Sequence, residues 1–321
     1  MNRRAFIAAI CAPLFSRVAF GGNTYRLGFI STSTTDKNSP FLDALRQGLQ
    51  ARGYEEGKNL EIDYCFGQTR DQLPAMADRL VKSKVNIILA GGSEGIVAAR
   101  AATTTIPIVM TNSGDAVREG FAKSLSEPGG NITGMTQISP ELVGKRLEIL
   151  KAVFGDLKDV AILWNPVHPS TPIEFHEARQ ATEKLSLNPY SVEVREPPQI
   201  SAGLRKVAAE GVRGVLVIRD PFTVRNREAI IRSLNELKML AVFATSDFVE
   251  SGGLMHYGAD FSDLFRQSAI FVDKILKGSN PATLPIMQPT KFELVINHKV
   301  ANERGIVIPP FLLARADRVI E

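Results

Sequence analysis

LGFISTSTTDKNSPFLDALRQGL, residues 27–49, and VAILWNPVHPSTPIEFHEARQAT, residues 160–182, follow one plan. Each opens on an apolar run, passes through a loop of Ser, Thr, Asn and Pro, and enters a helix near a proline. In the first, Phe41, Leu45, Gly48, Leu49 and Arg52 recur at helical spacing, with Pro40 at the start and Gly53 at the end. The apolar runs YRLGFI, LEIDYCF, VNIILA and IPIVMT read as strands buried on both faces. GVLVI and LAVFAT repeat that signal after the second stretch. Strands alternating with helices predict parallel sheets covered on both sides, so the fold class is α/β, with two Rossmann-like α/β/α domains and a hinge between them.

Between the two units lies SEPGGNITGMTQIS, Ser126–Ser139, whose glycines predict a loop crossing between domains. MHYGADF, Met255–Phe261, is a second candidate crossing. In open α/β sheets ligands bind beyond the carboxyl ends of the strands. The loops at those ends are Ser31–Thr35, Gly91–Ser93, Thr111–Asp115, Asn165–Thr171, Arg219–Thr223 and Thr245–Asp247. Their hydroxyls, amides and carboxylates suit a small polar molecule.

Composition narrows the function. The 321 residues suffice for two cores, and 44% hydrophobic with 22% charged residues is a globular balance. The formal net charge of +4 falls to +1 without Arg3, Arg4 and Arg17, the basic residues of the first 22. What remains is mixed with acidic residues, which excludes a nucleic-acid stripe. Those first residues, MNRRAFIAAICAPLFSRVAFGG, read as an export signal: a basic start, an apolar run Ala5–Phe15, and small residues permitting cleavage near Gly21. Arg3-Arg4 leaves the export route open between the general and twin-arginine pathways. Cleavage would remove Cys11 and leave Cys65 alone, so no internal disulfide forms. His168, His176, His256 and His298 lack metal-ligand spacing, and no metal or other cofactor is expected.

Gly91-Gly92-Ser93-Glu94-Gly95 is G-x-S-x-G between a strand and a helix, the setting of a hydrolase nucleophile. Asp220 and His256 follow in the order of a hydrolase triad, but no segment before Ser93 supplies an oxyanion hole. Two other readings stand beside the nucleophile. Ser93 caps its own helix, or its hydroxyl and the unpaired N–H groups of that first turn bind a ligand. An exported serine hydrolase is thus the alternative to a binding protein. A dinucleotide enzyme lacks G-x-G-x-x-G in the first βα turn. A sensing regulator on this fold needs a DNA-binding segment where the export signal stands.

Several separated stretches carry a resemblance: GLQARGYEEGKNLEIDY, SLSEPGGNITGMT, GKRLEILK, YGADFSDLFRQSA and PTKFELVINHKVANERGI. Together they resemble the substrate-binding proteins of ABC transporters of the tryptophan/tyrosine type, from Tyr25 to Ile306. The resemblance implies a type I periplasmic binding fold with three crossings, near Thr133–Thr136, Tyr257–Asp260 and Leu284–Gln288. It divides the chain into a signal at 1–22, an N-terminal domain of 23–135 and 259–285, and a C-terminal domain of 136–258 and 286–321. It implies no enzymatic activity. It further implies a monomer in the periplasm that closes on an amino acid or aromatic carboxylate and delivers it to a membrane permease. It places Ser31, Thr32, Ser93, Asp115, Asn165, Asp220, Ser246 and Asp247 in the ligand cleft.

Two departures bear on the ligand. Arg219-Asp220-Pro221-Phe222 stands where a Thr-Asp-Asn type of loop is usual, and WNPVHPST lacks the usual acidic and amide residues. Arg219 is therefore either an anion contact or a structural ion pair. Trp164, like Phe66, Phe222 and Tyr257, is either an aromatic wall or core. Asp220 and Asp247 are candidates for a ligand ammonium, with helix capping the alternative for Asp247.

Overall fold

The computed structural model describes residues 24–32, 36–137 and 139–321. The export-signal reading, the supposed cleavage near Gly21 and residues 33–35 of the first loop lie outside them.

The first half contains β1 (Tyr25–Ser31), α1 (Pro40–Gln50), β2 (Leu60–Phe66), α2 (Leu73–Lys82), β3 (Ile87–Gly91), α3 (Gly92–Ala102), β4 (Ile108–Asn112) and β5 (Ile132–Gly134). Its five strands are parallel in the order β2-β1-β3-β4-β5. Alternate residues serve opposite cores: Leu27, Phe29, Ile87 and Leu89 pack in one cluster, and Ile30, Ile88 and Ala90 in the other. Two buried faces explain why these strands read as continuous apolar runs. β2, at the edge, is an exception, with most of its residues half-buried or exposed. α1 begins at the Ser39 cap and buries Leu42, Ala44, Leu45, Gly48 and Leu49, while Phe41 packs half-buried on the same core and Arg52 lies just past the helix end.

The second half contains α4 (Ser139–Phe154), β6 (Asp159–Trp164), α5 (Thr171–Lys184), β7 (Asn188–Glu193), α6 (Pro197–Ala209), β8 (Gly214–Val217), α7 (Pro221–Arg225), α8 (Arg227–Glu236), β9 (Leu240–Phe243), α9 (Asp247–Glu250) and β10 (Met255–Ala259). After α10 (Phe261–Leu276) come β11 (Phe292–Asn297), α11 (His298–Glu303), α12 (Pro310–Leu313) and β12 (Arg318–Ile320). The sheet runs β12-β11-β10-β9-β8-β6-β7. Its β7-β6-β8-β9-β10 part repeats the order of the first sheet, as the paired sequence stretches require. It is not wholly parallel: β11 runs antiparallel to β10.

Ser126–Ser139 is more than a loop, since Ile132–Gly134 forms strand β5 against β4. Gly134 is essential there: its φ is +129°, and a Cβ would lie 2.3 Å from the Met110 carbonyl oxygen. Met135 then bridges to Met287, and the Asp260 N–H donates to the Lys291 carbonyl at 3.2 Å, so the crossing strands brace one another. α10 packs back on α1, where a Cβ on Gly48 would lie 2.4 Å from the Arg266 carbonyl oxygen. Ile286 and Met287, within the expected crossing at Leu284–Gln288, pack with the first half's clusters.

Candidate functional site

Both sheets reverse their strand order between the first and third strands of the unit, and loops diverge at such a point. In the first half this lies beyond β1 and β3, at Ser31, Thr32 and Ser93. In the second it lies beyond β6 and β8, at Asn165, Arg219 and Asp220. The two points face each other, and a cavity between them is lined by Ser93, Asn112 and Gly114 from one side and His168, Glu174, Arg219 and Asp220 from the other. Contacts join its two sides. Arg70 Nη1 donates to the Val167 carbonyl and Arg225 Nη1 to the Thr32 carbonyl, each at 3.4 Å. Arg118 pairs with Glu177. The cleft is closed.

The glycines around Ser93 serve packing. A Cβ on Gly91 would lie 2.9 Å from Ser31 Oγ, and one on Gly95 would lie 2.8 Å from the Ile30 carbonyl oxygen. Gly92 has φ +79°, a left-handed turn from strand to helix. G-x-S-x-G is thus the spacing that seats α3 on β1. Ser93 makes no cap bond on its helix; it is buried and faces Glu119. His256, the triad's histidine in the hydrolase reading, is in β10 with Nε2 3.2 Å from Glu293 Oε1, and it does not line the cavity. That triad is not assembled.

Asn165 and Asp220 are brought together: Asn165 Nδ2 donates to Asp220 Oδ2 at 2.6 Å. The other Asp220 oxygen accepts the Thr223 N–H at 2.8 Å and caps α7. Thr32, Ser246 and Asp247 border a neighbouring cavity of about 510 Å³ that shares Pro221 with the first. Thr32 donates to Glu94 Oε2 at 2.5 Å. Asp115 turns away, accepting the N–H groups of Val117 and Arg118, each at 3.0 Å.

No aromatic wall is built from Trp164. Its ring stacks on Phe175 at 4.2 Å, and its Nε1 donates to Ser191 Oγ at 2.9 Å, inside the second half's core. Phe222 packs against the opposite core of that half. Tyr257 serves through its carbonyl, which accepts from buried Arg146 Nε at 2.8 Å. Phe66 packs on Phe29 and Tyr64.

Arg219 lies over the Phe261 ring at 4.6 Å, a cation–π contact across the domain boundary. Its Nε is buried without a hydrogen-bond partner, as are Ser113 Oγ beyond β4 and Thr245 Oγ1 beyond β9. Burial lowers the Arg219 pKa, and Asp247, Asp220 and Glu174 raise it in turn. Burial likewise lowers that of His168, whose Nδ1 lies 3.1 Å from Ser170 Oγ. The Glu119 carboxyl is pushed up to about 7, mainly by burial, while Ser93 and the Asp115 and Gly114 N–H groups draw it down and Glu174 raises it.

Several residues in or near this site were not singled out as ligand-binding in the sequence. Asn112 and His168 stand in strand-end loops, so the strand-end rule already pointed to their positions. Glu119 and Glu174 carried no signal, the one in a turn and the other inside a helix. No group of three or more potential metal ligands is present among the described residues. No described helix is long and apolar enough to cross a membrane.

The chain is similar to known proteins over nearly its whole length. The family model for ABC transporter substrate binding protein matches residues 29–320. A tyrosine-binding protein of Clostridioides difficile is 24% identical over 265 residues, covering 80% of this chain and 75% of that one. A conserved domain protein from Vibrio cholerae is 28% identical, with a TM-score of 0.86 over 92% of this chain and 100% of the other. An ABC domain in complex with L-Trp from Streptococcus pneumonia has a TM-score of 0.87 at 23% identity, over 93% of this chain and 100% of that one. Family match, repeated topology and facing switch points agree: the chain belongs to the substrate-binding proteins of ABC transporters, with the two-domain type I periplasmic binding fold.

Proposed function

We propose that this protein captures a small carboxylate-bearing molecule, an amino acid or an aromatic acid, between its two domains and passes it to a membrane permease. The observation that carries the reading is the buried, unpartnered Nε of Arg219 in a cavity walled by both domains. A buried donor without a partner is costly, and a ligand carboxylate repays that cost with a charge-assisted bond. Ser93 and the first turn of α3 supply hydroxyl and N–H groups from the opposite wall, while Asp220 and Asp247 set negative charge near Arg219 for a ligand ammonium. The names of the relatives, one tyrosine-binding and one holding L-Trp, support the ligand class.

In this reading the protein is an exported monomer without catalytic activity, freed from its leader near Gly21 and working in the periplasm. Its N-terminal domain comprises 23–135 and 259–285 and its C-terminal domain 136–258 and 286–321. Closure is a hinge motion at the three braced crossings.

The test is thermal unfolding of residues 23–321, refolded free of carried-over ligand, against amino acids, aromatic acids and small carboxylates. A ligand at ~1,000 times its dissociation constant adds roughly 4 kcal/mol. Arg219→Ala is expected to weaken that ligand by roughly 10- to 100-fold, the worth of a hydrogen bond to a charged group. Undiminished affinity in this variant removes Arg219 from the site.

A further inference from the structure

We propose that Glu119 is a positioning residue of the cleft and makes its closure proton-linked, because closure sets its turn across the cleft from Glu174 of the opposite domain. The inference rests on the binding reading and adds a regulation to it. Glu119 stands in the turn beyond β4, where its Oε1 accepts the Asp115 N–H at 2.9 Å. It thereby shapes the turn carrying Gly114, and it faces Ser93 on α3. Gly114 is wedged between the domains: a Cβ there would lie 3.0 Å from Glu119 Oε1 and 2.9 Å from Ser170 Cβ at the start of α5. Glu174 follows one turn along α5 and lines the same cavity as Ser93 and Gly114. Glu174 thus lies across the cleft from the turn that carries Glu119, and its charge acts on the Glu119 carboxyl.

The other charges nearby have partners of their own. Asp115 and Arg118 flank it in its own turn, and Asp115 is engaged with backbone N–H groups. Arg118 pairs with Asp115 and with Glu177 of α5. Arg146 and Arg219 act on Glu174. α3 contributes the Ser93 hydroxyl, while Arg100 of that helix donates to the Gly120 carbonyl. Charging Glu119 is therefore opposed by burial and by Glu174.

The sign follows from the direction of the shift. The closed cleft raises the Glu119 pKa to about 7 from its ordinary 4.5. Opening admits water and withdraws Glu174, returning the carboxyl toward the ordinary value. Closing then takes up a proton between those values. The closed-to-open ratio falls up to about tenfold per unit as pH rises toward 7 and levels off above it. Below about 4.5 it is level again, because both states are protonated.

The test needs no ligand. A chain carrying Arg118→Cys and Glu177→Cys, joined by a short bis-maleimide, is held closed. Carboxyl carbon NMR then follows Glu119, its signal assigned by its loss in Glu119→Gln or, if that variant folds poorly, by its shift in Glu119→Asp. The expected midpoint is near 7 in the tethered chain, lower when Glu174→Gln is added, and lower again without the tether. A tethered midpoint among ordinary carboxylates overturns the proposal. So does a midpoint insensitive to Glu174→Gln, or one unchanged by releasing the tether. A ligand from the unfolding panel that binds while Glu119 titrates ordinarily keeps the binding reading and removes the proton link; a proton link with no ligand in the panel has the reverse meaning.

Discussion

The two walls of the cleft occupy equivalent places in equivalent topologies, yet they are built oppositely. Beyond β1 and β3 the wall is backbone: Gly91, Gly92 and Gly95 bring α3 hard against β1, and Ser93 stands in the helix's first turn. Beyond β6 and β8 the wall is side chain: Asn165 holds Asp220, Asp220 caps α7, and Arg219 projects from the same loop. The strand order fixes where a ligand binds. What chemistry meets it there is decided independently in each half. One wall is shaped by the absence of Cβ atoms, the other by a buried charge network.

If that contrast holds, substitutions on the two walls fail for different reasons. Asp220→Ala has the largest expected effect, a loss of about 3 kcal/mol of stability. It removes the α7 cap and leaves Asn165 Nδ2 buried without its partner. Denaturant unfolding measures it, and a change under 1 kcal/mol means the network is ornamental. Asp220→Asn, which keeps a cap oxygen, should recover part of the loss.

Gly95→Ala comes next, at about 2 kcal/mol, because its Cβ meets the Ile30 carbonyl oxygen, which belongs to β1 and cannot move alone. Ser93→Ala beside it should cost about 1 kcal/mol, because the buried hydroxyl bonds Glu119 but does not press the helix on the sheet. A larger loss on Ser93→Ala than on Gly95→Ala would show that the serine, not the glycine spacing, holds the helix. Trp164→Phe also has a small expected effect. Losing the bond to Ser191 costs about 1 kcal/mol, and ligand affinity should not change. Weakened binding would return an aromatic ring to the cleft.

The glycine motif shows how the sequence could suggest one chemistry and encode another. G-x-S-x-G at a strand-to-helix turn fits a nucleophile because both uses need a helix pressed close to a sheet. Only the position of His256, held by Glu293 in the second sheet, separates them. Arg219 was legible as a departure from the family pattern, but its burial and its place over Phe261 were not. Trp164 was ambiguous for the same reason: a ring at a strand end can face the cleft or the helix layer, and here Phe175 of α5 takes it.

The sequence by itself determined the repeated α/β plan, most strands and the family. These rest on short-range constraints: a strand buried on both faces must be apolar throughout, and a helix must begin and end on suitable residues. It also located the strand-end loops, and through them Ser93, Asn165 and Asp220. Tertiary structure decided which of the loop residues meet. It turned Asp115 back on its own turn and split Thr32, Ser246 and Asp247 into a second cavity. It placed the turn of Glu119 opposite α5 as well, through Gly114 and Ser170. The reason is physical: a side chain's field and its burial depend on what the opposite domain presents to it, and no local pattern in the chain carries that information.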